Sequence, residues 1–131
     1  MENKLKHILL IDDDDDNNLI HKLIIEDTGM NVQVKAVLSV KEALHYLESG
    51  EKPELIFLDI NMPLLNGWDF LEEYKNLHPE NKENSVIVLL TSSVNMNDEN
   101  KALSFKEVAA YKNKPLTVDL LQEIFQKHFN F

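Results

Sequence analysis

The segment ILLIDD, from Ile8 to Asp13, and the segment LIFLD, from Leu55 to Asp59, decide the fold class of this chain. Each has four consecutive apolar residues followed by aspartate. Continuous apolar runs of this length are typical of strands that are covered on both faces, as in a parallel sheet. Two later segments have a similar form: VIVLLTS contains Thr91 and Ser92, and AAYKNK ends at Lys114.

Helical patterns separate the strand patterns along the chain. The predicted elements are strand 6–11, helix 15–27, strand 31–37, helix 40–49, strand 54–58, helix 67–76, strand 85–90, helix 98–104, strand 108–113 and helix 117–129. This alternation predicts a doubly wound α/β fold with a five-stranded parallel sheet and helices on both faces. The second strand, VQVKA, alternates apolar and polar residues. It therefore fits an edge position and the flavodoxin-like strand order 2-1-3-4-5.

Composition limits the functional classes. We expect residues 1–131 to form one domain, because this length suits a single core. The net charge of −10 argues against binding to nucleic acid. No apolar run approaches the roughly 20 residues that span a bilayer, and no secretory signal begins the chain. The sequence contains no cysteine, which excludes disulfides and thiolate metal sites and fits a cytoplasmic location.

The polar residues that follow the predicted strands are expected to meet. In a parallel sheet the carboxyl ends of the strands face one crevice, where ligands bind. The order 2-1-3-4-5 makes strands one and three neighbours, so Asp12, Asp13 and Asp59 would be adjacent. Thr91 and Lys114 would lie beside them. Three clustered carboxylates repel one another unless a cation intervenes, and oxygen ligands suit Mg²⁺, Mn²⁺ or Ca²⁺. The set predicts a site for a divalent cation and a phosphoryl group, with an acidic pocket that holds no ion as the alternative.

The acidic run after the first strand has a simpler explanation for its later members. Asp14–Asp16 fit a solvated helix start, where carboxylates meet free amides. An EF-hand loop needs glycine at its sixth position and glutamate at its twelfth. The sixth position is Asn17 or Asn18 in the two possible registers. The twelfth is Leu23 or Ile24, so an EF-hand is excluded.

Taken together, the motifs resemble the receiver domains of two-component response regulators. The matching segments are ILLIDD with Asp12 and Asp13, LIFLDINMPLLNGWDFL with Asp59, Pro63 and Gly67, VIVLLTS with Thr91, and YKNKPL with Tyr111, Lys114 and Pro115. The resemblance extends over essentially the whole chain. It implies a bacterial, stand-alone receiver domain to which no output domain is attached.

The resemblance also implies how a phosphoryl group would be accepted. Asp59 corresponds to the phosphoacceptor of the family. Mg²⁺, or alternatively Mn²⁺, would be bound by the side chains of Asp13 and Asp59 and by the backbone carbonyl of Asn61. Asp12 would contribute directly or through water.

Three further residues have implied roles. Thr91 would donate its hydroxyl to a phosphoryl oxygen, and Lys114 would pair first with Asp59 and then with the phosphoryl group. Tyr111 corresponds to the aromatic switch residue that turns inward when Thr91 moves. By the same resemblance, Pro115 would follow a cis peptide bond. The residues two positions beyond Asp59 and Thr91, here Asn61 and Ser93, influence the lifetime of the phosphorylated state.

The implied function is a phosphorylation-dependent switch in a phosphorelay or two-component system, and not an enzyme that turns over an external substrate. A sensor histidine kinase or a histidine phosphotransfer protein would supply the phosphoryl group. A separate downstream protein, still unknown, would receive the output from a monomer or a phosphorylation-dependent dimer. Surface residues of the first helix would govern partner specificity: Asn17, Asn18, His21 and Lys22.

Three alternatives compete with this function. A phosphatase of the haloacid dehalogenase kind also has an aspartate nucleophile after its first strand, but the glycine and the threonine or valine that usually follow are missing, as is a cap segment. A receiver used only as an unphosphorylated scaffold is the second alternative. The third is a flavodoxin-type carrier, in which five aspartates would repel the flavin phosphate. The scattered histidines are expected at the surface or partly packed: His7, His21, His45, His78 and His128.

Overall fold

The computed structural model describes residues 5–62, 64–77, 85–92 and 96–129, and its elements alternate as predicted. The strands are β1 (His7–Ile11), β2 (Gln33–Val37), β3 (Leu55–Leu58), β4 (Val86–Thr91) and β5 (Val108–Asn113). The helices are α1 (Asp15–Asp27), α2 (Val40–Glu48), α3 (Gly67–Lys75), α4 (Met96–Leu103) and α5 (Val118–Phe129). The bounds differ from the predicted ones by at most two residues, as at the start of α4. Pro63, His78 and Ser93 lie outside the described residues.

All the strands join one parallel sheet in the order β2-β1-β3-β4-β5. This confirms the predicted order and the edge position of β2. In register, Ile11 pairs with Leu58 and Leu58 pairs with Leu89. The residues that follow β1 and β3 therefore emerge side by side at one edge of the sheet.

Two apolar layers cover the sheet, and alternate residues of each strand enter opposite layers. Leu9 and Ile11 of β1 pack into the layer that contains residues of α2, α3 and α4. Ile8 and Leu10 pack into the layer that contains residues of α1 and α5. Burial on both faces explains why the central strands are continuously apolar.

Two histidines contradict the prediction that all of them are exposed or partly packed. His7 is only 9% exposed, because its strand is covered on both faces, and its Nε2 lies 2.6 Å from the hydroxyl oxygen of Tyr46. His21 is 5% exposed, because its side of α1 packs against the sheet. His45 is exposed and His128 is half-buried, as predicted.

An aromatic pair joins α3 to the chain that follows α4. The rings of Trp68 and Phe105 are stacked, with centroids 6.3 Å apart and planes 17° apart. The ammonium of Lys101, on α4, lies 4.6 Å from the centre of the Trp68 ring, within the range of a cation–π contact. The indole therefore contacts both α4 and the segment that follows it.

Gly67 allows α3 to begin directly against the end of β3. Its N–H donates to the carbonyl of Ile60 at 2.9 Å. A Cβ at this position would lie 2.8 Å from Ile60 Cα and 2.9 Å from the carbonyl oxygen of Asp59. These are backbone atoms, so a side chain could fit only if the segment after β3 moved.

We predict that Gly67→Ala lowers the free energy of unfolding by about 2 kcal/mol, because the methyl group displaces the backbone at Ile60 and Asp59. Urea unfolding measures the change. Gly29→Ala is the control: its φ of +76° disfavours alanine, but no atom lies within 4 Å of the added Cβ. That variant should lose about 1 kcal/mol through backbone strain alone. Equal losses in the two variants would contradict the proposed collision.

Candidate functional site

Backbone hydrogen bonds hold the first and third strand ends together. The N–H of Asp59 donates to the carbonyl of Ile11 at 2.9 Å, and the N–H of Asp12 donates to the carbonyl of Val37 at 3.3 Å. The parallel ladder therefore continues one residue beyond β1 and β3. As a result, two aspartates that are distant in sequence have adjacent side chains.

Three carboxylates form the cluster that the sequence predicted. Oxygen atoms of Asp12, Asp13 and Asp59 all lie within 4.8 Å of one another. Asp12 and Asp59 are 4% and 7% exposed, whereas Asp13 is exposed to solvent. A group of oxygen ligands with one open side is the donor set that Mg²⁺ and related hard cations prefer. The cluster therefore fits a divalent cation.

Lys114 links the carboxylate cluster to β5, the strand at the edge of the sheet. Its Nζ donates to Asp12 Oδ2 at 2.8 Å and to Asp59 Oδ2 at 3.4 Å. The sequence predicted a first pairing with Asp59, whereas the shorter contact is with Asp12. Burial lowers the pKa of Lys114, but the hydrogen bond to Asp12 and the charges of both carboxylates outweigh it, so that its pKa lies above its ordinary value.

A backbone hydrogen bond to β4 fixes the position of Lys114. Its N–H donates to the carbonyl of Thr91 at 2.8 Å, which extends the pairing of β4 with β5. The Lys114–Pro115 peptide bond is cis, as the sequence resemblance implied. From the end of β5, the Lys114 ammonium reaches the aspartates that follow β1 and β3.

Asp59 has an unfavourable environment for a negative charge. Burial is the largest influence on its pKa, the charge of Lys114 opposes it, and the charge of Asp12 adds to it. Together these raise the pKa of Asp59 from 3.8 to about 6. The N–H of Asn61 donates to Asp59 Oδ1 at 3.2 Å and favours the ionised form. The ionised carboxylate is therefore held in place at a cost in stability.

Thr91 and Tyr111 lie on the two neighbouring strands at the same end of the sheet. Thr91 is the last residue of β4 and is completely buried. Tyr111 pairs in register with Leu89, packs against the apolar layer of α3 and α4, and is half-buried. Burial raises the pKa of Tyr111, and the charges of Asp98 and Glu99 of α4 add to this effect.

Two residues that the sequence analysis placed at the surface are buried beside the site instead. Asn18 and His21 of α1 are 2% and 5% exposed, which contradicts their assignment to a partner surface. Asn18 Nδ2 donates to the carbonyl of Asp12 at 3.0 Å and to that of Val37 at 3.2 Å. Their spacing from the apolar Ile25 could have indicated burial, because the three residues share one face of the helix. Asn17 is half-buried and Lys22 is exposed.

Burial, aided by the charge of Lys114, lowers the pKa of His21 and favours its neutral form. Burial is the largest influence that lowers the pKa of this imidazole, and the positive charge of Lys114 adds to it. Asp12 acts in the opposite direction but does not outweigh them. A neutral imidazole has one donor and one acceptor nitrogen.

Comparison with known proteins identifies the family of this chain. The family model described as the response regulator receiver domain matches residues 8–126. This chain therefore belongs to the response regulator receiver domain family of two-component signalling, as its motifs predicted. Receiver domains act as signalling switches and interact with kinases or phosphotransfer proteins, and some relatives carry an additional enzyme domain.

Individual relatives agree with the family assignment. Two-component response regulator 24 of Arabidopsis thaliana is 30% identical over 121 residues, which cover 91% of this chain and 81% of that protein. A probable cyclic di-GMP phosphodiesterase of Vibrio cholerae is 30% identical over 98% of this chain, but the match covers only 28% of that protein.

Solved structures share the fold over nearly the whole chain. A two-component response regulator from Cytophaga hutchinsonii has a TM-score of 0.85 and 36% identity, covering 95% of this chain and 96% of that one. Response regulator protein TrrA from Thermotoga maritima, solved in complex with Mg²⁺ and BeF, has a TM-score of 0.73 and 27% identity, covering 93% and 97%. Among the described residues, no helix combines the length and apolar character needed to cross a membrane.

The raised pKa of Asp59 makes stability depend on pH. A carboxyl group with a raised folded-state pKa binds its proton more tightly when folded, so its ionisation destabilises the fold above pH 6. The lost stability is regained as the pH falls towards 3.8, the pKa of the same carboxyl group in the unfolded chain. Without metal, we predict that Asp59→Asn raises the free energy of unfolding by about 1–3 kcal/mol near pH 8 and by much less near pH 4.

Urea unfolding in the presence of a chelator, repeated across this pH range, measures that difference. Asp27→Asn removes one negative charge from an exposed position of the same chain and serves as the control. A stabilisation by Asp59→Asn that did not change with pH would contradict the raised pKa.

Proposed function

We propose that this chain is a phosphorylation-controlled switch in which Asp59 accepts the phosphoryl group. The observation that carries the proposal is the position of Lys114 Nζ, which contacts Asp12 and Asp59 within the carboxylate cluster. A nucleophilic carboxylate beside a fixed cation suits phosphoryl transfer, in which positioning and charge stabilisation supply most of the catalysis.

The transfer is an in-line displacement. A carboxylate oxygen of Asp59 forms a bond to phosphorus, and the bond from phosphorus to the donor breaks. The donor is the phosphohistidine of a sensor kinase or of a histidine phosphotransfer protein, and its imidazole nitrogen retains the bonding electron pair. The product is an acyl phosphate on Asp59, which water later hydrolyses.

The proposed metal is Mg²⁺, with Mn²⁺ as an alternative. Asp12, Asp13 and Asp59 would hold it with their carboxylate oxygens, and Asn61 would contribute its backbone carbonyl. Bound there, Mg²⁺ neutralises charge on the carboxylate and phosphoryl oxygens. The donor set supports this choice because it contains only oxygen atoms, and because Asp12 and Asp59 are buried beside one another with Lys114 as their counter-charge.

The remaining polar residues supply positioning and the conformational response. Lys114 would transfer a hydrogen bond from Asp59 to the phosphoryl group and stabilise its developing charge. Thr91, at the end of β4, would donate its hydroxyl to a phosphoryl oxygen. Tyr111, on the adjacent strand, would move inward as Thr91 moves. This change alters the surface formed by α4 and β5 without any chemistry on a second substrate.

The output is proposed to pass to a separate protein. We propose that residues 1–131 form a single receiver domain that acts in the cytoplasm as a monomer or a phosphorylation-dependent dimer. Its downstream target would recognise the altered surface. The apolar residues exposed on α1 suit docking of the phosphodonor, because they lie on the helix that begins just after Asp13. They are Leu19, Ile20 and Leu23, which are 57%, 51% and 54% exposed.

Acetyl phosphate tests the acceptor assignment. We expect the wild-type chain to gain one phosphoryl group in the presence of Mg²⁺ and none in the presence of a chelator. Asp59→Asn should gain none, since the nucleophilic oxygen is lost, whereas Asp27→Asn should behave as the wild type. Intact mass measures the gain, and phosphate release detects rapid hydrolysis. An Asp59→Asn chain that acquired phosphate at the wild-type rate would exclude Asp59 as the acceptor.

A second measurement separates donor docking from chemistry. With a histidine phosphotransfer protein that phosphorylates the wild type, Ile20→Glu should slow transfer about tenfold, because a central apolar contact of the interface is lost. With acetyl phosphate the same variant should react at the wild-type rate. Leu103→Glu is the matched control, because this α4 residue is also 51% exposed. Equal transfer rates for the Ile20 and Leu103 variants would exclude α1 as the docking helix.

A further inference from the structure

A small cavity lies below Lys114, between α1 and the carboxyl edge of the sheet. Its volume is about 10 Å³, close to the minimum for one water molecule and too small for a larger ligand. Apolar side chains of β1, β3 and β4 line part of this cavity. Five polar residues also line it: Asp12, Asn18, His21, Asp59 and Lys114. A cavity of this size with a polar lining favours water, whereas apolar cavities stay dry.

Asn18 provides an acceptor for that water. Its amide nitrogen donates to two backbone carbonyls, and this fixes the orientation of the amide, because the reverse orientation would place three oxygen atoms together. Asn18 Oδ1 is then buried with no hydrogen-bond partner within the described part of the chain. The side chain is 2% exposed and lines the cavity, so bulk solvent does not satisfy this oxygen.

Lys114 and His21 provide the other polar contacts. An ammonium group has three N–H donors, and among the described residues Lys114 has two carboxylate acceptors, Asp12 and Asp59. One donor therefore remains for a further acceptor. His21 lines the same cavity, and its neutral imidazole can donate or accept. A water molecule at this place would have the two to four polar partners that buried waters require.

We propose that this cavity binds one ordered water molecule that accepts a hydrogen bond from Lys114 Nζ and donates one to Asn18 Oδ1, with the imidazole of His21 as its third hydrogen-bond partner. Asn18 and His21 are then positioning residues for the lysine. Through the water, α1 fixes the direction of the Lys114 ammonium towards Asp12 and Asp59. The functional consequence depends on the role proposed above for Lys114, but the water site itself does not.

NMR of the lysine ammonium groups tests the water site without any phosphodonor. In the wild type, we expect the Lys114 ammonium protons to show cross-relaxation to a long-lived water and slow exchange with solvent. His21→Leu should speed that exchange about fivefold, the equivalent of one ordinary hydrogen bond. His21→Gln, which restores a donor and an acceptor, should bring the exchange rate back to near the wild-type value.

Two further variants keep the test decisive. His45→Leu makes the same replacement at an exposed position on α2, across the sheet, and should leave the Lys114 signal unchanged. If His21→Leu fails to fold, His21→Met fills a similar volume with a more adaptable side chain and replaces it. The absence of a water contact at Lys114 in the wild type, or an unchanged Lys114 signal in the folded His21 variant, would overturn the proposal.

Phosphorylation by acetyl phosphate supplies the functional measurement. We expect His21→Leu to react about fivefold more slowly, because one hydrogen bond that holds the water beside Lys114 is lost, and His21→Gln to recover most of the rate. A chain with the expected Lys114 signals that acquires no phosphoryl group would refute the proposed function and leave the water site intact. Normal phosphorylation of every variant, with no bound water detected, would refute the water site alone.

Discussion

One ammonium group between two buried carboxylates is the interaction on which the site depends. Asp12 and Asp59 are adjacent because β1 and β3 pair, and their negative charges repel each other at the edge of an apolar sheet. Lys114 opposes that repulsion from the far side, at the end of β5. The strand order therefore has an electrostatic role, because it brings together a charge set that is tolerable only as a unit.

The fold itself does not rely on this cluster. Both faces of the central strands are buried in apolar layers, so the sheet is stabilised well away from its carboxyl edge. Because the apolar layers stabilise the sheet, the site at its carboxyl edge can contain buried polar groups that lower the stability of the fold. The raised pKa of Asp59 is one such cost, and the burial of Asn18 Oδ1 with no protein partner among the described residues is another. Buried polar groups of this kind are more common at functional sites than in ordinary cores.

The sequence predicted the fold and the strand-end residues because both depend on short, local patterns. The apolar runs gave the strands, and the residue after each run gave the site. The start of α4 was less certain, since Met96 and the next residues are not buried and apolar spacing cannot locate them. The preference of Lys114 for Asp12 depends on side-chain geometry between residues 102 positions apart. Asn18 and His21 were misassigned because their polar side chains were taken to be exposed, although both share a helix face with the apolar Ile25.

The stacked aromatic pair gives the molecule a built-in optical probe. Trp68 is the only tryptophan in the chain, and it follows the glycine that packs against the backbone of Asp59. Its ring contacts Phe105 and lies beneath the ammonium of Lys101 on α4. Any displacement of α4 relative to α3 changes the charge next to the indole. Its emission therefore reports on the arrangement of these two helices in the unlabelled protein, with no second tryptophan to contribute background.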